Sequence, residues 1–317
     1  MERVQLRPVD RAEVLILVEN FVDVLAASSE AAQRPALRVD QLSPMSQQLR
    51  AEHGSALLLT VEFAGRRETI LYDAGLGRDT ATHNLDVLEQ AIPDLRAIVL
   101  SHGHSDHHGG LEGMIRRAGR RRLPLLLHPD AWLQRRIVFP TGVEVRLYPP
   151  REQDLLAEGV EVVEERGPSL LIDGTVLVTG QVERVTDFEK GFPIQDKLAE
   201  HGWEKDVWVW DDQALAVHIR DHGLLVLSAC SHGGVINVVK HIQRLTGVDG
   251  LYALAGGLHL TGGLFEAIIP ETIAQLHELN PSVICPGHCT GWRATHEIIK
   301  LMPDAYAQAN VGTMLRL

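Results

Sequence analysis

The sequence predicts an α/β fold, and three observations support this prediction. Short apolar runs bounded by turn residues recur along the chain and are typical of strands. Segments in which apolar residues follow a helical spacing, such as 235–245, alternate with some of these runs. The 317 residues are 45% hydrophobic, which fits a globular protein with a large core. We expect one domain over residues 1–317, because sandwiches of this length commonly fold as one.

Strands dominate the first 180 residues. Residues 14–18 form a predicted first strand, and residues 56–62 and 69–73 form a hairpin around the polar turn at 65–67. The polar, irregular segment at about 28–55 is long enough to be a functional loop. Further strands are predicted at 123–127, 145–148, 160–163, and in a hairpin over 170–178 that turns at Asp173-Gly174.

The second half combines strands with helices. A hairpin is predicted over 214–229, turning at 221–223. Helices are predicted at 235–245, closed by Gly247, and at 265–279, closed by Asn280-Pro281.

The segment at about 181–212 concentrates aromatic residues in a chain that has few of them. It contains Phe188, Phe192, Trp203, Trp208 and Trp210. Two interpretations of this pattern are equally favoured. The segment is either a lid or wall over a ligand, or it forms a satellite core or a subunit contact. A subunit contact implies a homodimer. We therefore treat the segment as a lid or insertion whose role stays open.

Composition restricts the partners and the compartment. The formal net charge of -12 argues against nucleic-acid binding, which needs clustered Lys and Arg. The first apolar run, at 14–18, is far too short for a signal peptide or a membrane span, so we expect a cytoplasmic protein without membrane partners. Cys230, Cys285 and Cys289 form no CxxC pair, which favours reduced, buried thiols.

Residues 97–111 hold the densest group of metal-ligand side chains. An apolar run there leads directly into His102, His104, Asp106, His107 and His108. Because side chains alternate along an extended segment, His102 and His104 point the same way. Two glycines and the start of a helical period follow, which places Asp106 and His107 on the entry turn of a helix. This density favours a metal site over the alternative, histidines that cap a helix or lie on a solvated loop.

Five apolar runs end in the same way, with a ligand-type residue and nearby small residues. These residues are Asp73, His102, His232, His259 and His288. Strand ends that all deliver such residues predict one shared site, with glycines that allow close backbone approach. The alternative is that the last three are unrelated surface histidines. The other histidines, including His53, lack this pattern, and most should be surface or packing residues.

The motif HxHxDH at 102–107, with Asp73, His232 and His288, resembles the metallo-β-lactamase superfamily. Within it, five motifs are similar to a branch of dihydropterin-ribofuranosylaminobenzene-phosphate synthase-like proteins: 51–54, 179–184, 228–234, 256–260 and 286–291. The resemblance implies an αββα sandwich, in which helices flank two mixed β-sheets and a two-metal site lies at one edge. It assigns His102, His104 and His232 to one ion, and Asp106, His107 and His288 to the other.

The resemblance also implies a function and a cofactor. We expect a metal-dependent hydrolase with two zinc ions, or manganese or iron, acting on an ester, lactone or phosphate-type small molecule. Three neutral imidazoles leave zinc one open position, so metal-bound water is the expected nucleophile. Asp106 is the expected proton acceptor, and Asp73 orients a ligating histidine. The alternatives are a pterin-related synthase that forms C–C or C–N bonds, a di-iron redox protein, and a non-catalytic metal-binding sensor.

The substrate residues are less defined by pattern. The candidates are Arg184, Phe188, His259, Thr290 and Trp292. Arg184 suits an anionic or phosphorylated substrate, although a surface salt bridge is an equal alternative. The superfamily usually supplies a bridging carboxylate where this chain has 255–259, which contains no acid. His259 therefore either ligates the second ion or lines the pocket and moves protons.

Overall fold

A computed structural model describes residues 3–36, 47–92 and 94–317. Part of the predicted functional loop, residues 37–46, lies outside the described residues. Of the rest of that loop, residues 32–33 form a short strand and residues 47–55 lead into the first sheet without regular structure.

The larger of two stacked sheets contains eight strands in the described part of the chain. Counted from one edge of this sheet, the first four strand pairings are antiparallel and the last three are parallel. In spatial order the strands are β2 (Ala32–Gln33), β18 (Met314–Arg316), β1 (Arg11–Val18), β3 (Ala56–Phe63), β4 (Arg66–Tyr72), β5 (Leu95–Val99), β6 (Leu123–Leu127) and β9 (Val160–Glu164).

The second sheet has six strands within the described ranges. In order they are β10 (Ser169–Leu171), β11 (Val176–Val178), β14 (Leu215–Ile219), β15 (Gly223–Ser228), β16 (Leu251–Gly257) and β17 (Val283–Gly287). The pairings β15–β16 and β16–β17 are parallel, so the carboxyl ends of these three strands meet at one edge. The predicted hairpins over 170–178 and 214–229 are both present.

Burial on both faces explains the continuous apolar runs of the central strands. In β3, Leu57 and Leu59 pack between the two sheets, in one core cluster with Val217 and Leu227 of the second sheet. Leu58, which points the opposite way, packs in a separate cluster beneath the outer helices. A strand with alternating polar residues could not fill both cores.

Helices cover the outer face of each sheet. The larger sheet carries α1 (Thr80–Val87) and α3 (Leu111–Ala118), and the second carries α5 (Val235–Thr246), α6 (Ile269–Leu279) and α7 (Trp292–Leu301). The layers are therefore helix, sheet, sheet, helix, which confirms the αββα sandwich. A further short helix, α4 (Glu152–Ala157), precedes β9.

Among the described residues, a third sheet of four strands is built from two distant segments. Its strands in order are β13 (Gly202–Lys205), β12 (Gln195–Ala199), β7 (Arg135–Val138) and β8 (Glu144–Leu147). The predicted insertion at 181–212 thus supplies two of these strands, and the predicted strand at 145–148 supplies a third. The pairing of β12 with β7 joins residues about sixty positions apart in the chain.

The helix predicted at 265–279 begins later than expected. Residues 266–268 form a 3-10 turn, and the α-helix starts at Ile269, with Pro270 in its first turn. Proline is tolerated there because its missing N–H has no helical partner at that position. Asn280 ends the helix in a left-handed conformation, as predicted. In the described part of the chain, no helix is both long and apolar enough to cross a bilayer.

Candidate metal centre

The carboxyl ends of strands from both sheets place the candidate ligands at one edge of the sandwich. His102 and His104 follow β5, and Asp106 and His107 lie in a one-turn helix, α2 (Ser105–His108). His232, His259 and His288 follow the parallel strands β15, β16 and β17 in that order. The structure therefore brings together the residues that the strand-end pattern singled out.

His102, His104 and His232 form a compact cluster of buried imidazoles. The Nε2 atoms of His102 and His232 lie 3.1 Å apart, and the ring centroids of His102 and His104 are separated by 4.5 Å. Two nitrogens bound at about 2.0–2.1 Å to one tetrahedral zinc ion lie roughly 3.3 Å apart. The ligand atoms of all three residues lie within 4.8 Å of one another, so the cluster fits a single ion.

Asp73 and Ser101 fix which nitrogen carries the proton in His102 and in His107. Its Oδ2 accepts hydrogen bonds from His107 Nδ1 and from Ser101 Oγ, both at 2.7 Å. Because the Ser101 hydroxyl donates to Asp73, its oxygen accepts from His102 Nδ1 at 2.8 Å. Both imidazoles thus carry their proton on Nδ1 and present the Nε2 lone pair to the centre, as metal ligands must.

A second cluster adjoins the first and consists of Asp106, His107 and His288. Asp106 Oδ2 lies 3.8 Å from His107 Nε2 and 3.4 Å from His288 Nε2. Both of these nitrogens are buried and lack a hydrogen-bond partner. Unpartnered buried nitrogens beside a carboxylate are costly unless a cation lies near them, so these two nitrogens favour a cation.

Burial keeps most of the imidazoles neutral. It lowers the pKa of His104 and of His288 to about 4, and the pKa of His102 and of His232 well below the ordinary value. Neutral imidazole is the form that binds metals, so no proton has to be displaced from these four rings at neutral pH.

The carboxylates act in the opposite direction on His107. Burial alone would lower its pKa, but Asp106 and Asp73 raise it above the ordinary value. Burial also disfavours the charged form of Asp106, yet His107 and His288 hold its pKa well below the ordinary value. This side of the centre therefore favours positive charge, which a divalent cation supplies.

His259 lies against the first cluster. Its ring centroid is 4.3 Å from that of His232, and its backbone has a positive φ of 48°. Burial lowers the pKa of His259 to about 3. The ring of Phe192 stacks on His232 with centroids 5.4 Å apart and also lies 5.3 Å from His259. The segment at 181–212 thus places one aromatic side chain directly over the candidate ligands.

His53 lies beside the second cluster, although its side chain is 62% exposed, and the sequence analysis did not predict this position. Its Nε2 is 3.5 Å from Asp106 Oδ2, and its ring lies 4.7 Å from that of His288. The ligand atoms of these three residues lie within 4.8 Å of one another. The motif at 51–54 was the available signal, but nothing in its spacing indicates which strand ends it meets.

Several buried polar residues that the sequence analysis missed surround the first cluster. They are Gln195, Asp206, Asp211, Asp212 and Arg135. Gln195 Oε1 lies 2.7 Å from His104 Nε2. Asp212 accepts from the Gly233 amide at 3.0 Å, and burial raises the pKa of its carboxyl to about 6.

The predicted substrate residues divide into two groups. Thr290 and Trp292 line a cleft of about 330 Å³ beside His53 and His288, and Trp292 is 64% exposed. Neither Arg184 nor Phe188 is among the described residues that line this cleft.

The structure places these two side chains elsewhere. Arg184 donates to the backbone carbonyls of Val182 and Trp208 and lies over the ring of Trp210 at 5.0 Å. Phe188 packs against the core beneath the helices of the second sheet. Their roles in substrate binding stay predictions, although both have structural contacts that account for them.

The three cysteines are buried and free. Cys230 and Cys289 lie two positions before His232 and one position after His288, and their Sγ atoms are 3.2 Å apart. Burial raises the pKa of Cys230 well above the ordinary value, with the neighbouring thiol as the next cause.

Comparisons with known proteins relate the chain to one superfamily. A family model for the metallo-beta-lactamase superfamily matches residues 50–241. A Methanocaldococcus jannaschii protein, 7,8-dihydropterin-6-methyl-4-(beta-D-ribofuranosyl)-aminobenzene-5'-phosphate synthase, is 29% identical over 272 residues, or 84% of this chain and 90% of that protein. A second protein of that organism, described as uncharacterized, is 28% identical over 271 residues, or 84% and 93% of the two chains.

Among solved structures, a metal-dependent hydrolase of the beta-lactamase superfamily has the same fold. It matches with a TM-score of 0.73 and 20% identity, covering 96% of this chain and 99% of the other.

Proposed function

Since the chain belongs to the metallo-beta-lactamase superfamily, we propose that it is a metal-dependent hydrolase with two zinc ions at the edge of its sandwich. The observation that carries this proposal is the convergence of buried, neutral imidazoles, several of whose ring nitrogens lack a hydrogen-bond partner. Such an arrangement is costly to bury unless it binds a cation, and tetrahedral zinc suits three imidazoles.

We assign His102, His104 and His232 to one ion and Asp106, His107 and His288 to the other. When bound, the ions polarise a substrate oxygen and lower the pKa of water to about 7, which makes hydrolysis accessible at neutral pH. The protein's own contribution is to hold the ligating nitrogens in the required tautomers through Asp73 and Ser101. Asp106, 20% exposed, is positioned to accept a proton from a nucleophilic water.

The cleft beside His288 supports a small-molecule substrate. Its volume of about 330 Å³ lies in the range of ligand pockets, and Trp292 and Phe21 form an aromatic wall with ring centroids 6.0 Å apart. Esters, lactones and phosphate esters all contain an oxygen that two adjacent cations can polarise.

A pterin-related synthase is the second candidate. It is favoured by the 29% identity, over 84% of this chain, to the M. jannaschii synthase. Both candidates use the same centre, so only the reaction distinguishes them.

The test combines metal analysis with a substrate panel. We expect the protein purified without added metal to contain zinc and to hydrolyse at least one member of a panel of esters, lactones and phosphodiesters. His104→Ala or Asp106→Ala should lower metal content and turnover together, whereas His277→Ala, on an exposed helical turn, should change neither.

Full turnover and two ions per chain in the His104→Ala protein would refute the ligand assignment. A protein that contains both ions, is inactive on the panel, and joins a pterin to an aminobenzene substrate would identify the synthase instead.

A further inference from the structure

Gln195 on β12 links the third sheet to the first metal cluster. Its side chain is fully buried, and its Oε1 lies 2.7 Å from His104 Nε2. Its amide nitrogen donates to Asp206 Oδ2 at 3.1 Å. Gln195 belongs to the insertion rather than to any strand that ends at the centre, so nothing in the family motifs refers to it.

The direction of these hydrogen bonds is fixed by a buried cation. Arg135 on β7 donates from Nε to the same Asp206 oxygen at 2.7 Å. A guanidinium only donates and a carboxylate only accepts, so Asp206 must accept from Gln195 as well. The opposite orientation of the Gln195 amide would place its oxygen against a carboxylate oxygen. The oxygen of Gln195 therefore faces His104 and accepts from its Nε2.

This direction determines the tautomer of His104. If Nε2 carries the proton, Nδ1 has the lone pair, and Nδ1 is the atom left to bind an ion. The arrangement is the reverse of His102 and His107, in which contacts to Ser101 and Asp73 place the proton on Nδ1. Two separate networks thus act on the candidate ligands, one through Asp73 and Ser101 and the other through Gln195.

The same guanidinium also holds the backbone between the two histidines. Arg135 donates to both oxygens of Asp211, at 2.6 and 3.1 Å, and Asp211 accepts from the Gly103 amide at 2.8 Å. Gly103 has no room for a side chain, because a Cβ there would collide with the carbonyl oxygen of Ala131. The position of Gly103 is therefore determined both by packing and by the buried ion pair.

We propose that Gln195, oriented by Arg135 and Asp206, is a positioning residue that sets the tautomer of His104 and thereby the zinc affinity of the first cluster. The third sheet then has a defined role, since β7 carries Arg135 and β12 carries Gln195 to the candidate metal centre. The inference rests on the proposed function only in taking His104 as a zinc ligand.

The first test needs no variant. Two-bond ¹H–¹⁵N spectra of the metal-free protein report which nitrogen of each histidine carries the proton. We expect His104 to be protonated on Nε2 and His102 on Nδ1. A His104 ring protonated on Nδ1 would overturn the proposal.

The second test replaces Gln195 with methionine, which has similar length and no strong acceptor. We expect Gln195→Met to populate the other tautomer of His104 and to weaken zinc binding at the first cluster about 10–100-fold, in a chelator competition assay. The second ion should bind as in the unaltered protein. Lys197→Met, on the same strand but paired with Glu204 at the surface, is the control and should bind both ions normally.

Unchanged zinc affinity in a folded Gln195→Met protein would refute the positioning role. If the variant does not fold, the spectra of the unaltered protein still decide the question. A protein that binds no zinc would refute the proposed function. The tautomer measurement would still decide how the Gln195 amide is oriented toward His104.

Discussion

Replacing Asp73 by asparagine tests how the fold prepares the candidate metal ligands. Asp73 is fully buried, and it accepts from the Ser101 amide, the Ser101 hydroxyl and His107 Nδ1, each at 2.7 Å. Its backbone has a positive φ of 60°, which asparagine tolerates as well as aspartate does. Asp73→Asn therefore changes the side-chain chemistry with little backbone strain.

The expected magnitude follows from the three contacts. The Ser101 amide can only donate, so the asparagine oxygen must take the Oδ1 position and the NH₂ group must take the Oδ2 position. That group donates, so His107 must accept with Nδ1 and carry its proton on Nε2, the atom that faces Asp106. Restoring the ligating tautomer leaves two buried donors in contact, at a cost of about 1–3 kcal/mol. This corresponds to a loss of zinc affinity of roughly 5- to 150-fold.

The assay is zinc titration against a competing chelator, with histidine tautomers read by ¹H–¹⁵N spectra. We expect both ions to bind more weakly in a protein that still folds, because the Ser101 hydroxyl can no longer donate to residue 73 and donates to His102 Nδ1 instead. Asp86→Asn is the matched control, because Asp86 is an exposed carboxylate that pairs with Arg117. Unaltered affinity for both ions in a folded Asp73→Asn protein would refute the tautomer argument.

Two further predictions concern His288 and Glu19. His288→Ala should reduce the zinc content from two ions to one, measured by elemental analysis, and two retained ions would exclude His288 as a ligand. Burial raises the pKa of Glu19 to about 7 from 4.5, so in the metal-free protein its contribution to stability is present below the unfolded pKa and is lost as pH rises through 7. Glu19→Gln should therefore stabilise the metal-free protein at pH 8 by about 3 kcal/mol and far less at pH 5, measured by denaturant unfolding. An equal effect at both pH values would contradict the assigned cause.

Local patterns were sufficient for most of the strands and candidate ligands, whereas the family resemblance supplied the sandwich. Residues 56–59 of β3 and residues 224–227 of β15 are continuous apolar runs because both faces of the strands are buried there. The HxHxDH segment concentrates four candidate ligands within six residues, and each of the later histidines follows an apolar run. In both cases the information lies within about ten neighbouring residues.

The third sheet and the buried contacts of Gln195 and Arg135 could not be predicted in this way. β7 and β12 are short, with few apolar positions, and they pair only because the fold brings two distant segments together. Gln195 and Arg135 are polar residues whose burial is meaningful only once their partners are known. The same reason explains His53, whose motif is local but whose contacts with Asp106 and His288 are long-range.

The aromatic residues near the site show a related limit. Phe188 and Phe192 lie four positions apart in the same segment, and composition does not distinguish them. Phe192 stacks on His232, whereas Phe188 packs into the core. Asn237 accepts from the amides of Val185 and Thr186 and so holds one end of this segment, and β12 follows its other end. The path of the chain between these two points decides which aromatic ring reaches the candidate ligands.

Anomalous X-ray diffraction at the zinc edge tests the central claim most directly. Crystals of protein purified without added metal should show two peaks, one among His102, His104 and His232 and one among Asp106, His107 and His288. A zinc-supplemented crystal with no peak at either position, and with these side chains in the arrangement described here, would contradict the account.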